Sequence, residues 1–131
     1  MKIDELMIGD WILVNGTPMQ IQAIDDIDGE IMAGDELYCL IEDRVHSEDT
    51  IEPIPLTDDI LEWNTFEYFH KNYASLSYEH PFKLEMKQWP DENGLNGLWT
   101  VGGIIEIRFV HELQHVLKQC KLKDLADNFV V

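Results

Sequence analysis

Tight-turn dipeptides cut the first fifty residues into short pieces, and this spacing limits the possible folds more than any other feature of the chain. Asn15-Gly16 follows the apolar run Trp11-Ile12-Leu13-Val14. Asp28-Gly29 follows a stretch in which Met19, Ile21 and Ala23 alternate with Gln20 and Gln22. Gly34-Asp35 separates Ile31-Met32 from the run Leu37–Ile41. Asn-Gly and Asp-Gly pairs supply the positive φ angles that two-residue hairpin loops require. Apolar residues at every second position suit a strand with one buried face. Four or five short strands joined this way predict a small antiparallel β-barrel-like unit, SH3-like in kind, over residues 1–52.

The texture changes at Glu52-Pro53-Ile54-Pro55-Leu56-Thr57. The two prolines force extended backbone on their neighbours and deny a central strand position. Thr57 is a good N-cap, and Asp58 and Asp59 sit where the positive end of a helix favours anions. A helix is expected from Asp58 to Phe69. Strands are expected at Tyr73–Tyr78 and Phe82–Trp89, then a loop over Pro90–Gly97. A further strand pair, Leu98–Val101 and Ile104–Phe109, turns at Gly102-Gly103. A helix over Val110–Cys120 and a short strand at Asn128–Val131 complete the chain. The fold class expected is α+β: the barrel-like unit, a helix, an antiparallel sheet and a C-terminal helix. Residues 53–131 form the second unit, packed with the first as one compact domain. Among Tyr73, Tyr78, Phe82, Trp89 and Trp99 most should be core, with Trp89 the best candidate for exposure.

The 131 residues carry a formal charge of −17. Residues 1–59 hold 16 acids against Lys2 and Arg44, a balance of −14. Such a half repels nucleic-acid phosphate and anionic membranes, so neither is an expected partner. It either stays solvated or meets a basic protein. No apolar stretch approaches the span of a bilayer, and MKIDELMIGD lacks the apolar core of a signal peptide. Cys39 and Cys120, the only cysteines, make a disulfide framework implausible and suit a cytoplasmic setting.

His111-Glu112-Leu113-Gln114-His115 spells the H-E-x-x-H of zinc metallohydrolases. On a helix the two histidines lie on one face and can share a metal, with the glutamate as general base. A third ligand is needed. No Glu follows Glu112, and Lys118 and Lys121 stand where the extended motif wants Gly and His. Asp124, Asp127 and Cys120 are unconventional substitutes. On a helical wheel His111 and His115 fall opposite the apolar arc of Val110, Leu113, Val116 and Leu117, so the expectation is two water-facing imidazoles with weak, adventitious metal affinity. A calcium reading of Asp25–Glu30 fails on its first and last ligands, leaving an acidic hairpin turn. No phosphate-cradling loop or nucleophile elbow is present.

Three stretches in order, Leu6-Met7-Ile8-Gly9-Asp10-Trp11 with Asn15-Gly16, then Pro53-Ile54-Pro55-Leu56-Thr57, then Phe109-Val110-His111-Glu112-Leu113-Gln114, resemble an uncharacterised family of short proteins from gut Bacteroides-type bacteria, often near prophage or mobile elements. The resemblance brings no activity and no site residues. It implies Gln as a common alternative to Glu112, and hence some purpose for His111 other than Glu-assisted hydrolysis, such as packing at the helix start. The function expected is a non-enzymatic, acidic protein-interaction module without a cofactor. The alternative is a small zinc hydrolase with His111 and His115 as ligands and Glu112 as base.

Overall fold

The structure is a computed structural model that describes residues 2–40, 49–70, 73–77, 83–91 and 94–131; for 67–70, 73–77, 83, 89–91 and 94–96 it describes the backbone alone. After a 3-10 turn at Ile3–Glu5 come strands β1 (Trp11–Val14), β2 (Thr17–Asp25), β3 (Glu30–Ala33), β4 (Glu36–Cys39) and β5 (Ile51–Pro53). They form an antiparallel sheet in the order β4-β3-β2-β1-β5. The turn chemistry is the cause. Asn15 and Gly16 have φ of 51° and 80°, Gly34 and Asp35 of 56° and 65°, so both two-residue loops take the doubly left-handed form that matches strand twist. In the third turn Asp25 Oδ1 accepts the N–H groups of Ile27 and Asp28, each at 3.1 Å, so this acid shapes a hairpin.

A register shift between Ile21 and Ala23 bends β2. Its first half pairs with β1 and its second half with β3. Ile12, Val14, Ile21, Ile31, Ala33 and Tyr38 point to one side and, with Leu6, form the first core.

The second half begins with α1 (Asp58–Trp63), capped as expected by Thr57, whose Oγ accepts the Ile60 N–H. The helix ends at Trp63, six residues short of Phe69. Asn64 stops it: its amide donates to Ile60 O and Val130 O and accepts from Val130 N, and Thr65 turns left-handed with φ 71°. A second antiparallel sheet follows, with β6 (Glu67–His70), β7 (Tyr73–Ser77), β8 (Lys83–Asp91), β9 (Gly94–Val101) and β10 (Ile105–Ile107) in the order β10-β9-β8-β7-β6. Of the segment Pro90–Gly97, expected as a loop, residues 90–91 instead end β8 and residues 94–97 begin β9, with Pro90 opposite Leu95 and Asp91 opposite Gly94. Tyr78 and Phe82 lie outside the described residues, as do Ile41, His46 and His80.

Helix α2 (Val110–Gln119) falls where its amphipathic pattern places it. The tail departs from expectation. Lys121 takes φ 63°, Leu122 N–H returns to Leu117 O, and α3 (Lys123–Asp127) forms. No strand forms at 128–131, because Phe129 is drawn into the core and its carbonyl accepts the Trp11 indole N–H at 2.6 Å. The second core joins Ile60 and Leu61 of α1, Met86, Trp99 and Val101 of the sheet, and Val110, Leu113 and Leu117 of α2. Trp99 is wholly buried, and its indole donates to Leu56 O. Trp11 and Leu13, on the other side of β1, pack against this second core. Both cysteines are half-buried free thiols. Among the described residues no helix is long and apolar enough to cross a membrane.

Candidate functional site

The three stretches singled out in the sequence meet at one junction. Residues 54–56 run beside 108–110: Leu56 N–H donates to Arg108 O, and Val110 N–H to Ile54 O. This fixes where α2 begins. Glu112 completes the start of the helix from within its first turn. Its Oε1 accepts the backbone N–H of the N-cap residue Phe109 at 3.1 Å, a donor that a helix N-terminus leaves without an intrahelical partner, and that of Arg108, just before it, at 3.0 Å. The glutamate that the motif would make a general base is a helix cap.

The polar face of α2 lies against the turn that leads into β1. Gln114 is wholly buried. Its Oε1 accepts Trp11 N–H at 2.9 Å, and its Nε2 donates to Gly9 O at 2.9 Å and Ala126 O at 3.1 Å. One residue on, His115 Nε2 meets Asp10 Oδ2 at 2.7 Å. Asp10 is also wholly buried, and the same Oδ2 accepts Met7 N–H at 2.8 Å. One turn further, Lys118 Nζ donates to Ile8 O at 3.1 Å. Three side chains of one helix thus hold residues 8–11.

His111 and His115 do not face water as the wheel suggested. His111 is 6 % exposed and His115 is partly covered. The wheel placed them correctly opposite the apolar arc, but the N-terminal unit covers that side of the helix as well. The His111 ring stacks on Phe109, with centroids 6.0 Å apart and planes 10° from parallel, and meets His115 edge-on at 5.7 Å. Burial holds its imidazole below the ordinary value of 6.5 and His115 adds to that, while Asp10, Glu112 and Glu5 pull the other way. Two buried atoms have no hydrogen-bond partner here, His111 Nδ1 and Asp10 Oδ1. Buried polar atoms without partners are uncommon enough to mark a place of interest. His111 also lines a cleft of about 480 Å³, together with Glu5, Pro53, Phe109, Glu112 and His115.

The described residues do not assemble a catalytic zinc set around these donors. Among the described residues no group of three or more His, Cys, Asp or Glu is arranged to hold a metal ion. Asp10 occupies His115 Nε2, and the cap occupies Glu112. Cys120, Asp124 and Asp127 supply no third ligand within such a group. Gln114 and Asp10 are the residues that the sequence reading missed. The H-E-x-x-H spelling marks the two histidines and the glutamate, and gives no sign that the glutamine between them is wholly buried. No known protein family, curated protein or solved structure matches the chain.

Proposed function

We propose that the chain is a non-enzymatic interaction module whose N-terminal sheet receives a basic protein. One observation carries this reading: the exposed face of β2-β3-β4 is apolar in its middle and acidic around it, and these strands and the turns between them hold no Lys or Arg. Ala23, Met32 and Leu37 stand in one cross-strand row, and Leu37 is 64 % exposed. Asp25 and Glu30 stand in the next row on the same face. Asp26, Asp28 and Asp35 lie exposed in the adjoining turns, and Ile27 projects between two of them at 92 % exposure. Residues 17–40 contain six acids and no Lys or Arg. Interface centres combine exposed apolar side chains with a polar rim, and charge of one sign steers a partner of the other.

The strand order supports reading residues 1–52 as SH3-like. A first strand pairs with both the second and the last, and a bent second strand is shared between the two halves of the sheet. The phage or mobile-element setting implied by the sequence resemblance suits a small adaptor of this kind.

The test compares wild type with two variants in affinity capture from the native host. Asp26→Asn/Asp28→Asn/Asp35→Asn removes three charges at exposed turns, and Leu37→Ser removes the apolar centre. Both should lose the same basic partner while circular dichroism stays unchanged. Undiminished recovery by both variants, or an acidic partner, overturns the proposal.

A further inference from the structure

We infer that the cleft between the first turn of α2 and the N-terminal segment is a site for an organic cation, an alkylammonium or guanidinium group. This concerns a different surface from the β2-β3-β4 face and does not depend on it. Every feature of the lining suits such a group. Glu5 and Glu112 contribute carboxylates, and among the described residues no Lys or Arg lines the cleft. The helix cap uses only Oε1 of Glu112, so the second carboxylate oxygen serves no part of it. Pro53 offers an apolar wall for an alkyl stem, and the stacked Phe109–His111 pair offers ring faces to which cations are drawn.

The independent sign of a ligand is His111. More than nine-tenths of the residue is buried, its ring lines the cleft, and its Nδ1 has no hydrogen-bond partner. A neutral imidazole keeps one acceptor nitrogen, and an entering N–H donor supplies what that nitrogen lacks. The χ2 torsion of histidine is broadly two-fold, so rotation of the ring brings either edge to the cleft. His115 adds no net charge opposing the cation, because Asp10 is its partner. An anion would meet two carboxylates. A divalent metal would find no three-donor set among the described residues.

The source of the cation can be a free amine or a lysine or arginine side chain of another polypeptide. Histidine-labelled full-length protein is titrated at constant ionic strength with n-butylammonium, putrescine, a short lysine peptide and the neutral analogue n-butanol, following the His111 and His115 ring signals by NMR. Saturable shifts with n-butylammonium but not with n-butanol are expected. Glu5→Gln/Glu112→Gln should weaken binding about fivefold or more, the scale of losing two partly screened charges. Glutamine at 112 still accepts from the Arg108 and Phe109 amides, so the helix start survives the change. Tighter binding of putrescine identifies a free polyamine as the source, and tighter binding of the peptide identifies a side chain. Equal response to n-butanol, non-saturating shifts, or full affinity in the double variant overturns the inference.

Discussion

At the scale of single residues, the imidazoles of His111 and His115 are alike in sequence and unlike in place. His115 has a carboxylate partner, whereas His111 is buried against Phe109 with one nitrogen unpaired. Burial, the largest influence on His111, lowers its affinity for a proton in the folded state. The unfolded chain therefore binds that proton more readily, beginning as pH falls through about 6.5. The stability that His111 contributes is complete above this value and is lost as pH drops from there through its lower folded value. One such group contributes a slope of at most about 1.4 kcal/mol per pH unit. His111→Phe keeps a ring against Phe109 and removes the titration. Between pH 7 and 5, urea midpoints of wild type should fall more steeply than those of the variant. Parallel slopes would show that His111 takes up its proton without hindrance.

At the scale of elements, α2 shows what a sequence reveals and what it hides. The 3.6-residue recurrence of Val110, Leu113, Val116 and Leu117 located it almost to the residue. The N-terminal hairpins were equally legible, because Asn15-Gly16 and Gly34-Asp35 encode their own backbone angles. Three expectations failed where distant contacts outweighed local pattern. Asn64 ended α1 by bonding to Val130, 66 residues away, and the β8–β9 hairpin ran through residues that look like a loop. The tail coiled into α3, with Phe129 in the core. The polar face of α2 was hidden for the same reason: its partners at Gly9, Asp10 and Trp11 lie more than 100 residues earlier. Gln114 carries the clearest consequence. Gly9 O keeps a second donor, Gln20 Nε2, and Ala126 O keeps the Phe129 N–H, but Gln114 is the partner holding the Trp11 amide in this junction. Gln114→Met preserves volume and leaves that N–H without its acceptor. A stranded buried donor costs about 1–3 kcal/mol. Chemical denaturation should show a loss near the middle of that range, and a change below about 0.5 kcal/mol would mean that the junction relaxes around the vacancy.

At the scale of the whole molecule, charge and architecture are unevenly matched. The N-terminal half bears −14 of the −17, with only Lys2 and Arg44 against 16 acids, and Asp26, Asp28 and Asp35 lie exposed on hairpin turns. Like charges so placed repel one another in the folded chain more than in the expanded one, and net charge far from zero strains the compact state. Dissolved salt shortens the range of that repulsion from about 30 Å at 0.01 M to about 8 Å at 0.15 M. The Asp10–His115 contact is sheltered, since Asp10 is wholly buried, and screening weakens it little. The protein should therefore gain stability as salt is added, with the thermal midpoint rising by about 2–4 °C between 10 and 150 mM sodium chloride, equivalent to somewhat under 1 kcal/mol for a domain of this size. The same screening should weaken capture of a basic partner, because attraction across an interface is cut by the same ions. Opposite responses to one variable, firmer folding and looser binding, are what the proposed acidic docking face predicts. A midpoint that falls with salt would mean that attractive pairs, not repulsion, dominate the electrostatics of the N-terminal sheet.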